Sequence, residues 1–383
     1  MTFRHGTFAY TWDVVGDPAA ADRIAELGVD TVTLQASYHS VRATTAWHPR
    51  HRVVHAQHAA GYFRLRPEAW AGRHLVPPAP QWGVEDPDRF GTAAAALAGA
   101  GLRVEAWTVL THSSALGAAN PRLTVRNAFG ESYPYALCPA REDVREYALT
   151  LVAEICAQYD VPALMLEACG WLGFEHGSHH EKTSGTDLSA CGRDLLSICL
   201  CAACSAALVD RGVDVERLAA DVRALVDGEQ QRGVPAGATV ADAIGDERAR
   251  ALYAHRTGVI SGLVREVRAL AGARKVLLMV TDDPQATGPD VGLDLATFGE
   301  RVDGYVLKCW DTAGAADRIA ATAARTPVPL VANATVVGDR PDGTAQVIAA
   351  VAAAGASQAR YYHAGLASPA RLGALRAAVK EVR

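Results

Sequence analysis

The 383-residue sequence predicts a closed barrel of eight parallel strands, each followed by a helix. Short apolar runs alternate with alanine-rich helical stretches from end to end, and eight such runs can be counted. The later runs recur about every 25 to 30 residues, the length of a compact strand–helix–strand unit. Such alternation marks a parallel sheet with crossover helices. Eight units in a chain of this size point to an α/β (β/α)8 TIM barrel.

Strands are expected over residues 7–13, 31–37, 102–110, 163–167, 275–281, 304–309, 329–334 and 360–363. Asp17-Pro18 reads as an N-cap with proline at the first helical position, and Gly28 stands where a helix-ending glycine belongs. Asp86-Pro87 opens a second helix that ends near Gly99 or Gly101, and Ser368-Pro369 opens the last one, over residues 371–382. Two connections are too long for simple crossovers. One covers residues 36–86 and is rich in His, Arg, Trp and Pro; the other covers 168–246, with helices of its own over 187–210 and 214–230. They follow strands two and four, on the face where a barrel builds its active site. Without internal repeats or low-complexity linkers, residues 1–383 read as a single domain carrying these two insertions.

Composition narrows the function. Half the residues are hydrophobic and 21% are charged, the profile of a soluble enzyme. A net charge of -5 gives no footprint for nucleic acid. No apolar stretch approaches the roughly 18 residues of a membrane helix. Residues 1–6 run straight into the first strand, which predicts no secretory leader. With only eight cysteines, this favours a reducing cytoplasm. A homo-oligomer is compatible with the sequence.

Glu167 is the residue that most needs explaining. It closes the apolar run Val161-Pro162-Ala163-Leu164-Met165-Leu166, where desolvating a carboxylate is costly unless it is paired or hydrogen-bonded; a structural salt bridge is one reading, a functional site the preferred one. The other strand ends are polar and aromatic, and four of the seven tryptophans fall on or just beyond them. Trp12, Trp107, Trp171 and Trp310 would form walls, because indole faces pack on the C–H face of a sugar ring. His39, His112, His176, His179 and His363 would bind hydroxyls, while Lys308 and Asn333 would orient the ring. The expected partner is therefore a small carbohydrate substrate.

A glycosidic bond is broken between two carboxyl groups. Glu167 is the first, and Asp311 is preferred as the second, with Asp282 as the alternative and Asp283 and Asp13 behind them. Asp282-Asp283-Pro284 also reads as an ordinary turn, and Asp311-Thr312 as a helix cap. Strand seven ends in Asn333 rather than glutamate, unlike retaining families that place their two carboxylates on strands four and seven. Two rivals stay open: a metal-dependent sugar isomerase, epimerase or lyase, and a catalytically silent sugar-binding barrel. No glycine-rich phosphate loop follows strand seven or eight, which disfavours a phosphorylated substrate.

Two clusters could bind metal, although the hydrolase reading requires no cofactor. Residues 173–182 hold three histidines and two glutamates, suited to substrate contact, a divalent ion or a solvated loop. Cys191, Cys199, Cys201 and Cys204 supply four thiols, but the spacing is not two paired C-x-x-C motifs and the surroundings read as an apolar helix. Buried thiols are the expectation there, with zinc and a disulfide as alternatives.

Several segments together resemble an actinobacterial family of glycoside-hydrolase-like TIM barrels. They are residues 104–112, Asn127-Ala128-Phe129-Gly130, Leu137-Cys138-Pro139, Leu166-Glu167, residues 174–182 and the C-x-C-x-x-C segment. The resemblance covers most of the chain and is strongest between Leu102 and Cys204. It implies a barrel with the strand-four carboxylate in its site, and it implies no particular substrate.

Overall fold

Eight parallel strands close on themselves because the first pairs with both the second and the last. They are β1 (Arg4–Ala9), β2 (Thr31–Tyr38), β3 (Arg103–Val109), β4 (Ala163–Glu167), β5 (Lys275–Thr281), β6 (Gly304–Lys308), β7 (Leu330–Thr335) and β8 (Gln358–Tyr362). The computed structural model describes residues 3–83, 85–175, 182–338 and 343–382. Strand boundaries for β4 and β5 coincide with those expected. β1 ends earlier than expected, at Ala9. Asp13 accepts from the Tyr10 N–H at 2.8 Å and draws residues Thr11–Val14 into one helical turn.

Strand periodicity stacks the barrel interior in layers. In the lower layer Arg360 of β8 reaches Glu105 of β3, donating Nη2 to Oε1 at 2.8 Å and Nε to Oε2 at 3.2 Å. Thr33 of β2 adds a hydroxyl donor to the same carboxylate at 3.1 Å. β1 contributes Gly6 here because a Cβ would stand 2.6 Å from Arg360 Cδ. Two residues further along each strand lie Phe8, Trp107 and Tyr362, with the Phe8 and Trp107 rings 4.8 Å apart. That step carries the interior from a buried ion pair to an aromatic floor.

The two long connections follow β2 and β4 as expected. The first forms the hairpin Val41–Thr44/Val53–Ala56, then pairs Ala60–Gly61 antiparallel to the end of β2. The second carries helices Ala190–Leu196, Ala202–Val209, Val215–Arg232 and Val240–Ile244, which with helix Asp246–Ala271 bury a core of their own around Leu195, Leu218, Val222 and Leu252. The single helix expected over 187–210 is broken at Ser197, so Cys199 and Cys201 stand in a turn. A third excursion follows β3, where Thr124–Arg126 pairs with Ser132–Leu137; its short, polar strands give little alternation to read.

Helix punctuation is shifted in two places. Asp17 pairs with Arg23 and accepts from the Ala19 N–H, so the helix starts at Ala20 without a side-chain cap. Asp88 rather than Asp86 caps helix Arg89–Gly99, and Ser368 caps Pro369–Glu381 as expected. Among the described residues no helix is long and apolar enough to cross a membrane.

Candidate functional site

Glu167 ends β4 with its side chain inside the barrel mouth and only 6% exposed. Trp107, on the neighbouring β3, donates its indole N–H to Glu167 Oε2 at 2.6 Å. Burial pushes the Glu167 carboxyl up to about 8; the indole donor and Lys308 pull it down, while Asp290 pushes it further up. Burial is the largest cause, so the group holds its proton at neutral pH. The next residue, Ala168, sits at φ 54, where an L side chain is strained by roughly 1–2 kcal/mol. Three hydrogen bonds fix it there: its N–H donates to Pro289 O at 2.9 Å, and its carbonyl accepts from the Thr111 N–H and hydroxyl.

The bond to Pro289 brings the loop after β5 beside Glu167. In that loop Asp290 has a buried Oδ1 without a hydrogen-bond partner. Its carboxyl is pushed up to about 6 by burial, against the pull of Lys308 and Arg318. Asp290 lines a cavity of about 260 Å³ with Thr281, Lys308, Trp310, Asp311 and Arg318. Lys308 Nζ lies 4.5 Å from the Trp310 ring centre, and Trp310 is 38% exposed. The Trp310 indole N–H donates to Asn333 Oδ1 at 3.3 Å, and its ring packs 5.0 Å from Tyr362. Expected residues Lys308, Trp310, Asp311 and Asn333 thus gather at one side of the mouth. Asp311 is exposed there and accepts from the Ala313 N–H at 3.2 Å.

Phenols border Glu167 on its other side. The Tyr10 hydroxyl lies 3.2 Å from that of Tyr38 and 3.1 Å from that of Tyr362. Burial raises all three hydroxyls, keeping them neutral donors, and Glu167 adds to the shift at Tyr38 and Tyr362. His363 packs 4.1 Å from the Tyr10 ring, and burial lowers it to about 3, so it is neutral. Its Nδ1 lies 3.7 Å from Asp13, whose carboxyl burial raises to about 7. His39 and His112 stack at 4.5 Å beside Tyr38.

Other expected residues lie elsewhere. Asp282 pairs with Arg325 and accepts from the Leu295 N–H, so it is outside the cavity lining. Trp171 is buried against His255, beside Arg256 and Ile260 at the base of the second insertion, and is not on the cavity wall. Trp12 is buried between Tyr10 and Tyr62. His176 and His179 lie outside the described residues. Sequence reasoning missed Asp290, whose signal was slight: an acid placed directly before the apolar pair Val291-Gly292 that extends the sheet beside β5. Among the described residues, the only group of three or more His, Cys, Asp or Glu spaced to hold a metal is Cys138, Cys199, Cys201 and Cys204.

A larger cavity, of about 640 Å³, lies outside the barrel among the helices. Six of its charged groups are spent on one another, as Arg66–Glu154, Arg73–Glu146 and Arg145–Glu266 pairs. At the barrel mouth, Asp290 instead keeps a buried Oδ1 without a hydrogen-bond partner.

Fold and site define a TIM barrel with a buried carboxyl at its mouth. No protein-family model matches the sequence, and no curated protein matches it. Solved structures do. The chain is similar to the glycoside hydrolase domain of PgaB (BpsB) from Bordetella bronchiseptica, at 15% identity and TM-score 0.58, over 98% of this chain and 99% of that one. It is similar to the β-amylase catalytic domain from Paenibacillus polymyxa at 10% identity and TM-score 0.58, over 100% and 99%. It also matches α-L-fucosidase isoenzyme 2 from Paenibacillus thiaminolyticus at 12% identity and TM-score 0.56, spanning all of this chain and 49% of that one, so about half its length. At such identities the likeness is one of fold.

Proposed function

We propose that this protein is an enzyme that hydrolyses the glycosidic bond of a small glycoside or oligosaccharide, with Glu167 as general acid. The carrying observation is that the Ala168 N–H to Pro289 O bond brings Asp290, with a buried Oδ1 that has no hydrogen-bond partner, beside the buried Glu167. Burial raises the two carboxyls unequally, to about 6 at Asp290 and about 8 at Glu167. At neutral pH one is protonated and the other ionised, the division that glycoside hydrolysis requires. Asp290 therefore takes the role of base or nucleophile, with Asp311 across the same cavity as the alternative. Trp310 would stack on the sugar, while Lys308, Asn333, His39, His112 and the three phenols would bind its hydroxyls. A cavity of about 260 Å³ is small beside the roughly 300–1,000 Å³ of drug-sized sites, which favours a short substrate.

The glycoside hydrolases among the structurally similar proteins support this reading, as does the sequence's resemblance to an actinobacterial family of such barrels. Residues 1–383 would act as one domain, with insertions 36–86 and 168–246 as walls of the site. Eight free cysteines agree with a cytoplasmic location. The test is a panel of aryl glycosides offered to the wild type and to Glu167→Gln. Turnover by the wild type, and its loss in a folded Glu167→Gln protein, is the expected result. Turnover of a free sugar with none of any glycoside would end the hydrolase reading.

A further inference from the structure

Four thiols converge away from the barrel mouth. Cys138 follows the hairpin strand Ser132–Leu137 in the excursion after β3; Cys199 and Cys201 stand in the turn within the second insertion, and Cys204 lies on helix Ala202–Val209. All four are buried and free. Cys138 Sγ lies 3.6 Å from Cys204 Sγ, 3.8 Å from Cys199 Sγ and 3.6 Å from Cys201 Sγ, and all four sulfurs fall within 4.8 Å of one another. A tetrahedral ion with metal–sulfur bonds of about 2.3 Å has sulfur–sulfur edges of about 3.8 Å. A disulfide would instead bring two sulfurs to about 2.05 Å. Thiols acting only as small hydrophobes have no reason to point at a common centre.

A buried cation lies near the cluster. Arg256 is buried, and it interacts electrostatically with Tyr253 and Asp194 as well as with the thiols. Its guanidinium donates to Ser197 O at 3.1 Å and Gln285 O at 3.0 Å, and it interacts electrostatically with Cys199 and Cys204. Cys201 is the residue immediately before helix Ala202–Val209, so the cluster sits at that helix's N-terminal end. Backbone bonds hold the cluster, with the Cys138 N–H on Leu123 O at 2.8 Å and the Leu200 N–H on Arg126 O at 2.7 Å.

We propose that Cys138, Cys199, Cys201 and Cys204 bind a single zinc ion as a structural tetrathiolate site. Zinc binding releases four protons and leaves a centre of charge -2 facing Arg256. With all four positions filled by protein, the ion has no open site for substrate and is not catalytic. Its role is a cross-link between the connections of neighbouring strands β3 and β4. It closes chain segments of 61 to 66 residues and so offsets part of the entropy cost of closing those loops. Those connections already touch where the Tyr135 hydroxyl donates to Gly173 O at 2.9 Å, so the ion braces the walls around Glu167. The fourth thiol of the sequence-based grouping, Cys191, is elsewhere and donates to Thr239 O at 3.2 Å. The site stands independently of the glycosidase reading.

Elemental analysis of the purified wild-type chain is the first measurement, with about one zinc per chain expected. Cobalt exchanged into the site should show the intense visible bands of tetrahedral thiolate coordination. Cys138→Ser and Cys199→Ser should lose most of the bound metal, whereas Cys191→Ser and Cys309→Ser should keep it. If the first pair fails to fold, the wild-type zinc content and the cobalt spectrum still decide. A folded wild type with less than about a tenth of an equivalent of zinc would overturn the proposal. So would iron in place of zinc, or metal lost with Cys191 and kept without Cys138.

Discussion

Trp107 holds the proton-bearing end of Glu167 from the adjacent strand, its indole nitrogen 2.6 Å from Oε2. The relationship has a definite electrostatic sign. An N–H donor favours the ionised carboxylate, so it opposes the burial that raises the acid to about 8. Trp107→Phe should therefore raise the Glu167 carboxyl further and move the alkaline limb of any pH–rate profile upward. It should also cost about 1–3 kcal/mol of stability, from the lost hydrogen bond and packing. A pH–rate profile and a denaturant titration check both halves. A limb that moves downward would contradict the assignment of that limb to Glu167.

Glu167→Gln should abolish turnover and yet stabilise the fold at alkaline pH. The unfolded chain ionises this group near 4.5, while the folded chain keeps the proton to about 8. Between those values the folded state binds more protons, so its stability falls as pH rises, by at most about 1.4 kcal/mol per pH unit. The contribution is fully present below 4.5 and lost on passing about 8. Glutamine is neutral throughout and can still accept from Trp107. The difference in unfolding free energy, variant minus wild type, should grow by up to about 3 kcal/mol between pH 5 and 8. Paired urea titrations measure it, and a flat difference would show that Glu167 is ionised in the fold.

The barrel was legible because its strands are short and spaced by helices, with largely apolar runs in β4 and β5, which were found to the residue. Glu167 was legible for the same reason, as an acid closing such a run. Asp290 was not. Its place beside Glu167 depends on the Ala168–Pro289 hydrogen bond, which joins loops far apart in sequence. Asp282 looked equally well placed at a strand end, but Arg325, in the turn after helix Ala315–Ala323, pairs with it. The grouping of Cys191 with Cys199, Cys201 and Cys204 failed on similar grounds, since Cys138 arrives from another connection entirely. Local pattern reveals which elements form, and long-range hydrogen bonds decide which polar groups meet.

Two acids near 6 and 8 predict a bell-shaped dependence of kcat/KM on pH with its maximum near neutrality. Asp290→Asn should remove the acidic limb and lower kcat by about 100-fold or more. Lys308 lowers both carboxyls, so Lys308→Met should move both limbs upward together. Retention of the acidic limb in Asp290→Asn would transfer the second role to Asp311.

The buried pair beneath the site gives the last prediction. Arg360 is enclosed in the barrel, with both of its bonds to Glu105 made in the absence of bulk water. Arg360→Met leaves Glu105 buried with only the Thr33 hydroxyl as donor, and should cost about 3–5 kcal/mol. Adding Glu105→Gln removes the stranded charge and should recover much of that loss, because a neutral amide is cheaper to bury. Denaturant unfolding of the two single variants and the double variant completes the cycle. Additive losses would mean that the two side chains act independently. A double variant more stable than Arg360→Met alone would identify Arg360 and Glu105 as a coupled pair.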